Sequence, residues 1–162
     1  MVEIREARAD DLPALVALHV ATFKEAHGQR GAPTNELREA QWRAIFERES
    51  TWFCYVAEAP DGQLVGFAKG ERHDGGVPGF EGELDKIYVL RAWHRRGIGR
   101  ALVEQVARRF LMQGISSMLL FGDARSPSNG FYERLGAERL FSPDGDFHGA
   151  YGWRDLRRLI SV

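Results

Sequence analysis

Apolar and polar residues follow a pattern along the chain that predicts four helices and seven strands. Apolar residues at helical spacing, as at Leu12, Leu15, Val16 and Phe23, predict amphipathic helices. Short runs rich in aromatic and β-branched residues, bounded by glycine and proline, predict strands. The predicted helices span residues 12–23, 35–48, 97–113 and 128–135, and the predicted strands span residues 2–7, 52–58, 64–70, 81–90, 117–121, 139–141 and 147–156.

The residues between these elements carry matching start and stop signals. An aspartate of the pair Asp10–Asp11, followed by Pro13, predicts a helix N-cap and first turn. Residues 60–62, Pro-Asp-Gly, predict the turn of a β-hairpin, and Gly114 predicts the end of the third helix. Antiparallel strands come first and a β-α-β unit follows. The order therefore predicts an α/β fold of the α+β type, with one domain over residues 1–162 and a mixed, mostly antiparallel sheet flanked by helices on both faces.

Composition and charge narrow the class of protein. With 44% hydrophobic and 28% charged residues, the chain has the composition of an ordinary globular protein. Its 22 Lys and Arg against 23 Asp and Glu leave a formal charge of −1, so we expect no nucleic-acid or membrane partner. The N-terminus lacks the pattern of a signal peptide, which predicts a cytoplasmic protein. Cys54 is the single cysteine, so a disulfide within the chain and a cysteine-based zinc site are excluded, and its aromatic strand predicts a core position.

The segment around residues 91–109 carries the strongest signal for chemistry. It contains six Arg and one Glu, a local charge of +5. Gly97 and Gly99 open the third predicted helix, where unpaired backbone N–H groups accept phosphate and glycine allows close approach. A diphosphate is the natural ligand, although a helix that merely begins with glycine and carries a basic face would look similar. A Walker loop is excluded because no Gly-Lys-Ser/Thr follows, and Leu102 stands where a Rossmann motif has its third glycine.

Two segments resemble those of a known family, the GNAT N-acetyltransferases. Ile87–Leu102 contains His94-Arg95-Arg96-Gly97-Ile98-Gly99, which is similar to the family's acetyl-CoA signature, Arg/Gln-x-x-Gly-x-Gly/Ala. Ser126–Gly136 is similar to the family's Asn-x-x-x-x-Phe-Tyr-Glu-x-Leu-Gly segment. The predicted order of elements is compatible with the family over nearly the whole chain. Two positions depart from the family pattern: His94 stands in place of Arg or Gln, and Ser126 stands where an Asn often contacts the cofactor.

The resemblance implies direct transfer of an acetyl group from acetyl-CoA, without a metal, to a primary amine of a small molecule or a peptide N-terminus. It implies backbone contacts of Ile87 and Val89 with the pantetheine arm, a cradle for the pyrophosphate in the arginine segment, and Tyr132 near the thiol as general acid. The implied cofactor-binding residues are Ile87, Val89, His94, Arg95, Arg96, Gly97, Ile98, Gly99, Arg100, Ser126 and Tyr132.

The general base is expected among four titratable residues before the signature. The candidates are Glu83, Asp85, His73 and Glu81. In the family the strand that leads to Ile87 and Val89 borders the acceptor cleft and often supplies the base, which makes Glu83 the first choice as catalytic residue. Residues 71–85 hold five acidic residues and one Arg, a local charge of −4 that favours a cationic, amine-bearing acceptor.

Other functions stay open at this point. One alternative is a non-catalytic domain that senses CoA or binds a partner. Others are transfer of a different acyl group, transfer to a protein lysine, and nucleic-acid binding by the arginine cluster, against which the net charge argues. The exposed edge of a C-terminal strand makes a homodimer a possible assembly. Of the histidines, His19 lies on an apolar helix face and is interpreted as a core-edge residue, and no spacing favours a histidine-based metal site.

Overall fold

A computed structural model describes residues 1–48, 51–73 and 75–160. The predicted order of helices and strands is confirmed throughout this part of the chain. The helices are α1 (Leu12–His27), α2 (Asn35–Glu47), α3 (Ile98–Met112) and α4 (Asn129–Arg134). The strands are β1 (Glu3–Glu6), β2 (Phe53–Glu58), β3 (Leu64–Arg72), β4 (Gly82–Val89), β5 (Met118–Leu120), β6 (Glu138–Phe141) and β7 (Phe147–Trp153).

The strands form a seven-stranded sheet in the order β1-β2-β3-β4-β5-β7-β6. The pairs β1–β2, β5–β7 and β6–β7 are antiparallel, whereas β4 and β5 are parallel. The predicted α/β class with a mixed, mostly antiparallel sheet is therefore confirmed, while the extent of one domain over residues 1–162 stays a prediction. The chain forms two compact units: a first unit of residues 1–69 and 86–102, and a second unit of residues 70–85 and 103–162.

Two element ends differ from the sequence prediction by three or more residues. Helix α1 continues to His27 rather than ending near Phe23, and it stops at Gly28, which adopts a φ of 82° and donates its N–H to the Lys24 carbonyl. Strand β7 ends at Trp153 rather than at residue 156, because residues 156–159 turn into a short 3₁₀ helix. Weak apolar periodicity near an element's end cannot define where that element stops.

The core of the first unit is a cluster from α1, α2, β2 and β3, in which Leu15, Val56 and Phe67 have no exposed surface. Cys54 belongs to this cluster and is 1% exposed, as its aromatic strand predicted. Burial raises the pKa of its thiol, so the sulfur stays protonated and is not a nucleophile at neutral pH. His19 is also buried, and its Nδ1 accepts a hydrogen bond from Trp42 Nε1 at 3.0 Å, which confirms a structural place for this histidine.

The second unit packs around the fully buried side chains of Phe110, Met118 and Tyr151. Gly82, the first residue of β4, pairs with Met118 of β5. A Cβ at Gly82 would lie 2.8 Å from Cζ of Phe110, so a side chain there would push the ring out of place. Close packing against this aromatic ring therefore accounts for a glycine at the start of the strand that carries Glu83.

Asp11 is the N-cap residue of helix α1, as the sequence predicts, but its side chain makes no capping hydrogen bond to that helix and forms an ion pair instead. Its backbone is already helical (φ −77°, ψ −8°), and its carboxylate accepts two hydrogen bonds from the Arg5 guanidinium at 2.8 Å each. The hydrogen bond from Arg5 is the main reason that the pKa of Asp11 lies below its usual range. A depressed pKa stabilises the folded state above the pKa of the unfolded chain, about 3.9, and this contribution is lost as the pH falls through the lower folded-state pKa.

We expect Asp11→Asn to lower the free energy of unfolding at neutral pH by roughly 1.5–3 kcal/mol, the usual contribution of hydrogen bonds to charged groups. Urea denaturation at neutral pH and in a series below about pH 4 measures the effect. The difference from the wild-type protein should shrink in the acid series. Asp10→Asn, at the exposed neighbouring aspartate, is the matched control and should stay within about 0.5 kcal/mol. An equal loss in both variants would contradict a specific role of the Arg5–Asp11 pair.

Candidate active site

In the first unit, the loop between β4 and α3 has a backbone suited to an anion. It enters the left-handed region twice, at Arg95 (φ 63°) and at Gly97 (φ 79°). A non-glycine residue in this region costs on the order of 1 kcal/mol or more, and such strain tends to occur at functional sites. Left-handed residues next to a helix start turn successive N–H groups toward one side, where they can bind an anion. The loop thus meets the first requirement of the predicted pyrophosphate cradle.

The space in front of this loop is open to a ligand. A Cβ built on Gly97 would meet no atom of the described residues within 4 Å, apart from Gly97 and its two chain neighbours. Arg95, Arg96 and Arg100 are exposed, and the Arg96 guanidinium lies 4.7 Å from the centre of the Trp93 ring. Ile98 is 5% exposed and anchors the helix start, so its own contribution to an anion would come from its backbone N–H. These residues fit a diphosphate by charge and by access.

Side-chain contacts within the first unit hold the loop in place. The N–H of Arg91 donates to Glu25 Oε1 of helix α1 at 2.8 Å, and the Arg91 guanidinium bonds the Glu25 carbonyl. Nε2 of His94 lies 2.8 Å from the Val89 carbonyl, and because a carbonyl only accepts, this nitrogen is the protonated donor. The backbone N–H of His94 donates to the Arg91 carbonyl. His94 is thus directed at the end of β4, and its contact with a pyrophosphate stays a prediction.

The backbone of β4 presents Ile87 and Val89 away from β3. The N–H of Leu90 donates to the carbonyl of Val65 in β3 at 2.9 Å. Neighbouring residues of a strand direct their backbone groups to opposite edges, so Val89 and, two residues earlier, Ile87 face the edge away from β3. The hydrogen bond of the Val89 carbonyl with His94 agrees with this direction. This arrangement supports the predicted backbone contacts with a pantetheine arm, which themselves stay predictions.

In the second unit, the structure brings two of the four candidate bases together. Nδ1 of His73 lies 3.3 Å from Oε1 of Glu83, with 9% of the His73 side chain and 23% of the Glu83 side chain exposed. Glu81 is exposed, and its backbone N–H donates to Ser117 Oγ. Asp85 is half-buried. Glu83 therefore combines partial access to solvent with a hydrogen-bond contact to a neighbouring side chain.

Tyr132 lies in an aromatic cluster of the second unit. Its ring packs against Tyr151 at 5.6 Å and Trp153 at 6.5 Å between ring centres. The Tyr151 hydroxyl donates to Glu133 Oε2 at 2.7 Å, and Arg139 donates to the same oxygen. Desolvation by burial, followed by the hydrogen bond with Glu133, raises the pKa of Tyr151. The Tyr151–Glu133 bond joins residues 18 positions apart, and no local pattern of the sequence predicts it.

The residues before helix α4 are tied together by side chains. Ser126 Oγ accepts the N–H of Ser128 at 3.1 Å, so it is engaged within its own turn. Asn129 Nδ2 donates to the carbonyls of Asp123 and Ala124. This role of Asn129 was not among the sequence predictions, although an asparagine at a helix start is a known signal for such local bonds. A contact between Ser126 and a cofactor stays a prediction.

One group of possible metal ligands occurs in the described residues. Single oxygen or nitrogen atoms of Asp144, Asp146 and His148 lie within 4.8 Å of one another. All three residues are exposed, and a cluster of exposed acidic groups at a turn is not by itself a site. Among the described residues, no helix is both long and apolar enough to cross a membrane.

Comparisons with known proteins agree with these features. Residues 12–137 match the Acetyltransferase (GNAT) family. The uncharacterized N-acetyltransferase YuaI of Bacillus subtilis strain 168 is 29% identical, with 100% of this chain and 98% of the relative covered. Mycothiol acetyltransferase of Saccharomonospora viridis is 26% identical, with 80% of this chain and 43% of the relative covered.

Solved structures have the same fold. A GNAT acetyltransferase from Staphylococcus aureus Mu50 has a TM-score of 0.76 at 17% identity, with 96% of this chain and 99% of that chain covered. The PaiA N-acetyltransferase of Thermoplasma acidophilum, solved in complex with coenzyme A, has a TM-score of 0.68 at 19% identity, with 94% of this chain and 98% of that chain covered. The chain belongs to the GNAT acetyltransferase family, and it is an N-acetyltransferase.

Proposed function

We propose that this enzyme transfers the acetyl group of acetyl-CoA directly to a primary amine of a small molecule or a peptide N-terminus. The observation that carries the proposal is the loop before α3, where two left-handed residues and exposed arginines meet a helix start. Such a loop binds the diphosphate of a nucleotide-containing cosubstrate. The PaiA relative, which was solved with coenzyme A, supports the same ligand class.

Each part of the candidate site has one task in this proposal. The backbone and side chains of residues 94–100 bind the pyrophosphate, and the backbone groups of Ile87 and Val89 bind the pantetheine arm. Acetyl-CoA supplies an activated thioester, so no cysteine nucleophile is needed, which agrees with the buried, protonated Cys54. Glu83 accepts the proton of the attacking amine, directly or through a water, and Tyr132 gives a proton to the departing thiolate.

The charge of residues 71–85 supports a cationic acceptor. Five acidic residues and one Arg lie in this segment, and Asp74 among them lies outside the described residues. A primary amine near pKa 10 is mostly protonated at neutral pH. An acidic surface therefore attracts the acceptor in its abundant charged form, and a base is then required to make the amine nucleophilic.

We expect Tyr132→Phe to lower kcat by on the order of 10–10³-fold with little change in acetyl-CoA affinity, because only transition-state protonation is lost. A phenol with a reference pKa of about 10 is a suitable donor to a thiolate with one of about 8.5. Rates measured where chemistry is limiting, together with calorimetry, test this.

Tyr151→Phe is the matched control for the Tyr132 variant. It removes a hydroxyl from the neighbouring ring, where the Tyr151 hydroxyl bonds Glu133. It should lower the free energy of unfolding by about 0.5–1.5 kcal/mol and leave kcat near the wild-type value. Wild-type kcat in Tyr132→Phe would show that water or another group supplies the proton.

A thiol-release assay with acetyl-CoA against a panel of amines, amino acids and peptide N-termini tests the proposed function. We expect release with at least one amine, rising with pH toward the amine's own range. Binding of acetyl-CoA without release across the panel would favour a CoA-sensing role instead. Thiol release only with a longer acyl-CoA would show that the transferred acyl group is not acetyl. Release only with protein lysines would show that the acceptor is a protein side chain. A cytoplasmic location, independence of metal, the lack of a nucleic-acid partner and a homodimer through the edge of a C-terminal strand stay predictions.

A further inference from the structure

The imidazole of His73, in the second unit, has a hydrogen-bond partner at each of its two ring nitrogens. On one side, Nδ1 lies 3.3 Å from Oε1 of Glu83. On the other side, Nε2 lies 3.2 Å from the backbone N of Gly76 and 3.4 Å from the backbone N of Val77. The ring therefore bridges the carboxylate and the loop that follows β3.

The two backbone groups determine which nitrogen carries the proton. The N–H groups of Gly76 and Val77 are donors only, so Nε2 must accept and must be unprotonated. In a neutral imidazole the proton is then on Nδ1, which donates to the Glu83 carboxylate. His73 consequently has no vacant nitrogen with which to take a proton from an amine, which argues against His73 as the general base.

The surroundings restrict the ring to this orientation. The backbone N–H of His73 donates to the Glu81 carbonyl at 2.8 Å, which ties the residue to the chain just before β4. The Phe121 ring packs on His73 at 5.9 Å between centres, and 91% of the His73 side chain is removed from solvent. A ring held by backbone, aromatic and polar contacts can in turn hold the carboxylate to which it is hydrogen-bonded in a fixed position.

We infer that His73 is a positioning residue for Glu83: its neutral ring orients the carboxylate through Nδ1–H and holds the Gly76–Val77 backbone through Nε2. The inference rests on the proposed role of Glu83 as general base. A carboxylate that accepts one fixed hydrogen bond keeps its second oxygen directed at the acceptor. Loss of that orientation reduces the rate through poor alignment of the base.

The tautomer can be measured without any assay of activity. Nitrogen-15 NMR of the imidazole in the wild-type protein near neutral pH should show His73 protonated at Nδ1 and unprotonated at Nε2. A ring protonated at Nε2, with Nδ1 bare, would overturn the inference, whether or not Glu83 is the base. This measurement needs no variant, so it holds even if substitutions at His73 impair folding.

Two substitutions test the roles of the two ring nitrogens of His73 separately. His73→Asn places an amide N–H near the former Nδ1 and removes the acceptor for the loop, whereas His73→Gln places an amide oxygen near the former Nε2 and removes the donor to Glu83. We expect kcat to fall by on the order of tenfold in His73→Gln and to stay within about threefold in His73→Asn. Amide exchange of Gly76 and Val77 should accelerate in His73→Asn and stay slow in His73→Gln. Equal kcat losses in both variants would contradict the positioning role.

A double variant separates this inference from the function proposed for Glu83. In a Glu83→Gln background, His73→Gln should lower kcat no further, because His73 acts through the carboxylate. A further tenfold loss there would overturn the inference and leave Glu83 as base. If Glu83→Gln alone leaves kcat unchanged, the proposed base is wrong, while the tautomer and the amide exchange still report whether His73 bridges Glu83 and the loop.

Discussion

Replacing Glu83 by glutamine is expected to lower kcat by roughly 10²–10⁴-fold, the usual contribution of a general base. Glutamine keeps the size of the side chain and can still contact His73, but it cannot accept the proton of the amine. The measurement is the initial rate of thiol release at saturating acetyl-CoA, over a pH series, with the best amine of the panel. In the wild-type enzyme the rate should rise with pH until both the base and the amine are deprotonated.

Glu81→Gln is the matched control for the loss of kcat expected in Glu83→Gln. It removes the same charge from the same acidic segment, two residues earlier and at an exposed side chain. If Glu83 were only a charge at the rim, both variants would raise KM for the amine to a similar extent and leave kcat intact. If kcat survives in Glu83→Gln, Asp85 becomes the next candidate, since both nitrogens of His73 are already engaged.

Gly99→Val is expected to abolish acetyl-CoA binding. Gly99 is the second residue of α3 and is half-buried, next to the left-handed Gly97. A β-branched side chain there would stand before the first-turn N–H groups and keep a phosphate from approaching the backbone. Isothermal titration calorimetry with acetyl-CoA should show no measurable heat in this variant under conditions where the wild-type protein saturates.

Gln105→Val serves as the control for introducing valine into the same helix. Gln105 lies farther along α3, is half-buried and is uncharged, so this variant introduces the same β-branched side chain away from the loop. We expect wild-type affinity in this control and a melting temperature in Gly99→Val close to that of Gln105→Val. Unchanged affinity in a folded Gly99→Val protein would remove the loop before α3 as the cosubstrate site.

The elements and the class of protein follow from local patterns along the chain. Apolar periodicity located the four helices of the described residues, and runs of aromatic and β-branched residues located the seven strands, because both signals lie within short segments of the chain. An anion-binding helix start was indicated by Gly97, Gly99 and the surrounding arginines. Such a site can be predicted because its glycines, its charges and its first helical turn lie next to one another in the sequence. Cys54 and His19 were assigned to the core from their apolar surroundings, and the structure confirms both.

Tertiary structure decided which of several plausible side chains act together. The four candidate bases lie within a 13-residue segment of sequence, and only the return of the chain from β3 to β4 brings His73 against Glu83. The Asp11 carboxylate accepts from the Arg5 guanidinium rather than from an N–H group of helix α1, and the Tyr151 hydroxyl donates to Glu133 across 18 positions. Arg95 likewise adopts a left-handed backbone, for which arginine has no intrinsic preference that the sequence could reveal. Periodicity and composition describe neighbours along the chain. These bonds join side chains that come within hydrogen-bond distance only when the sheet and its loops have formed.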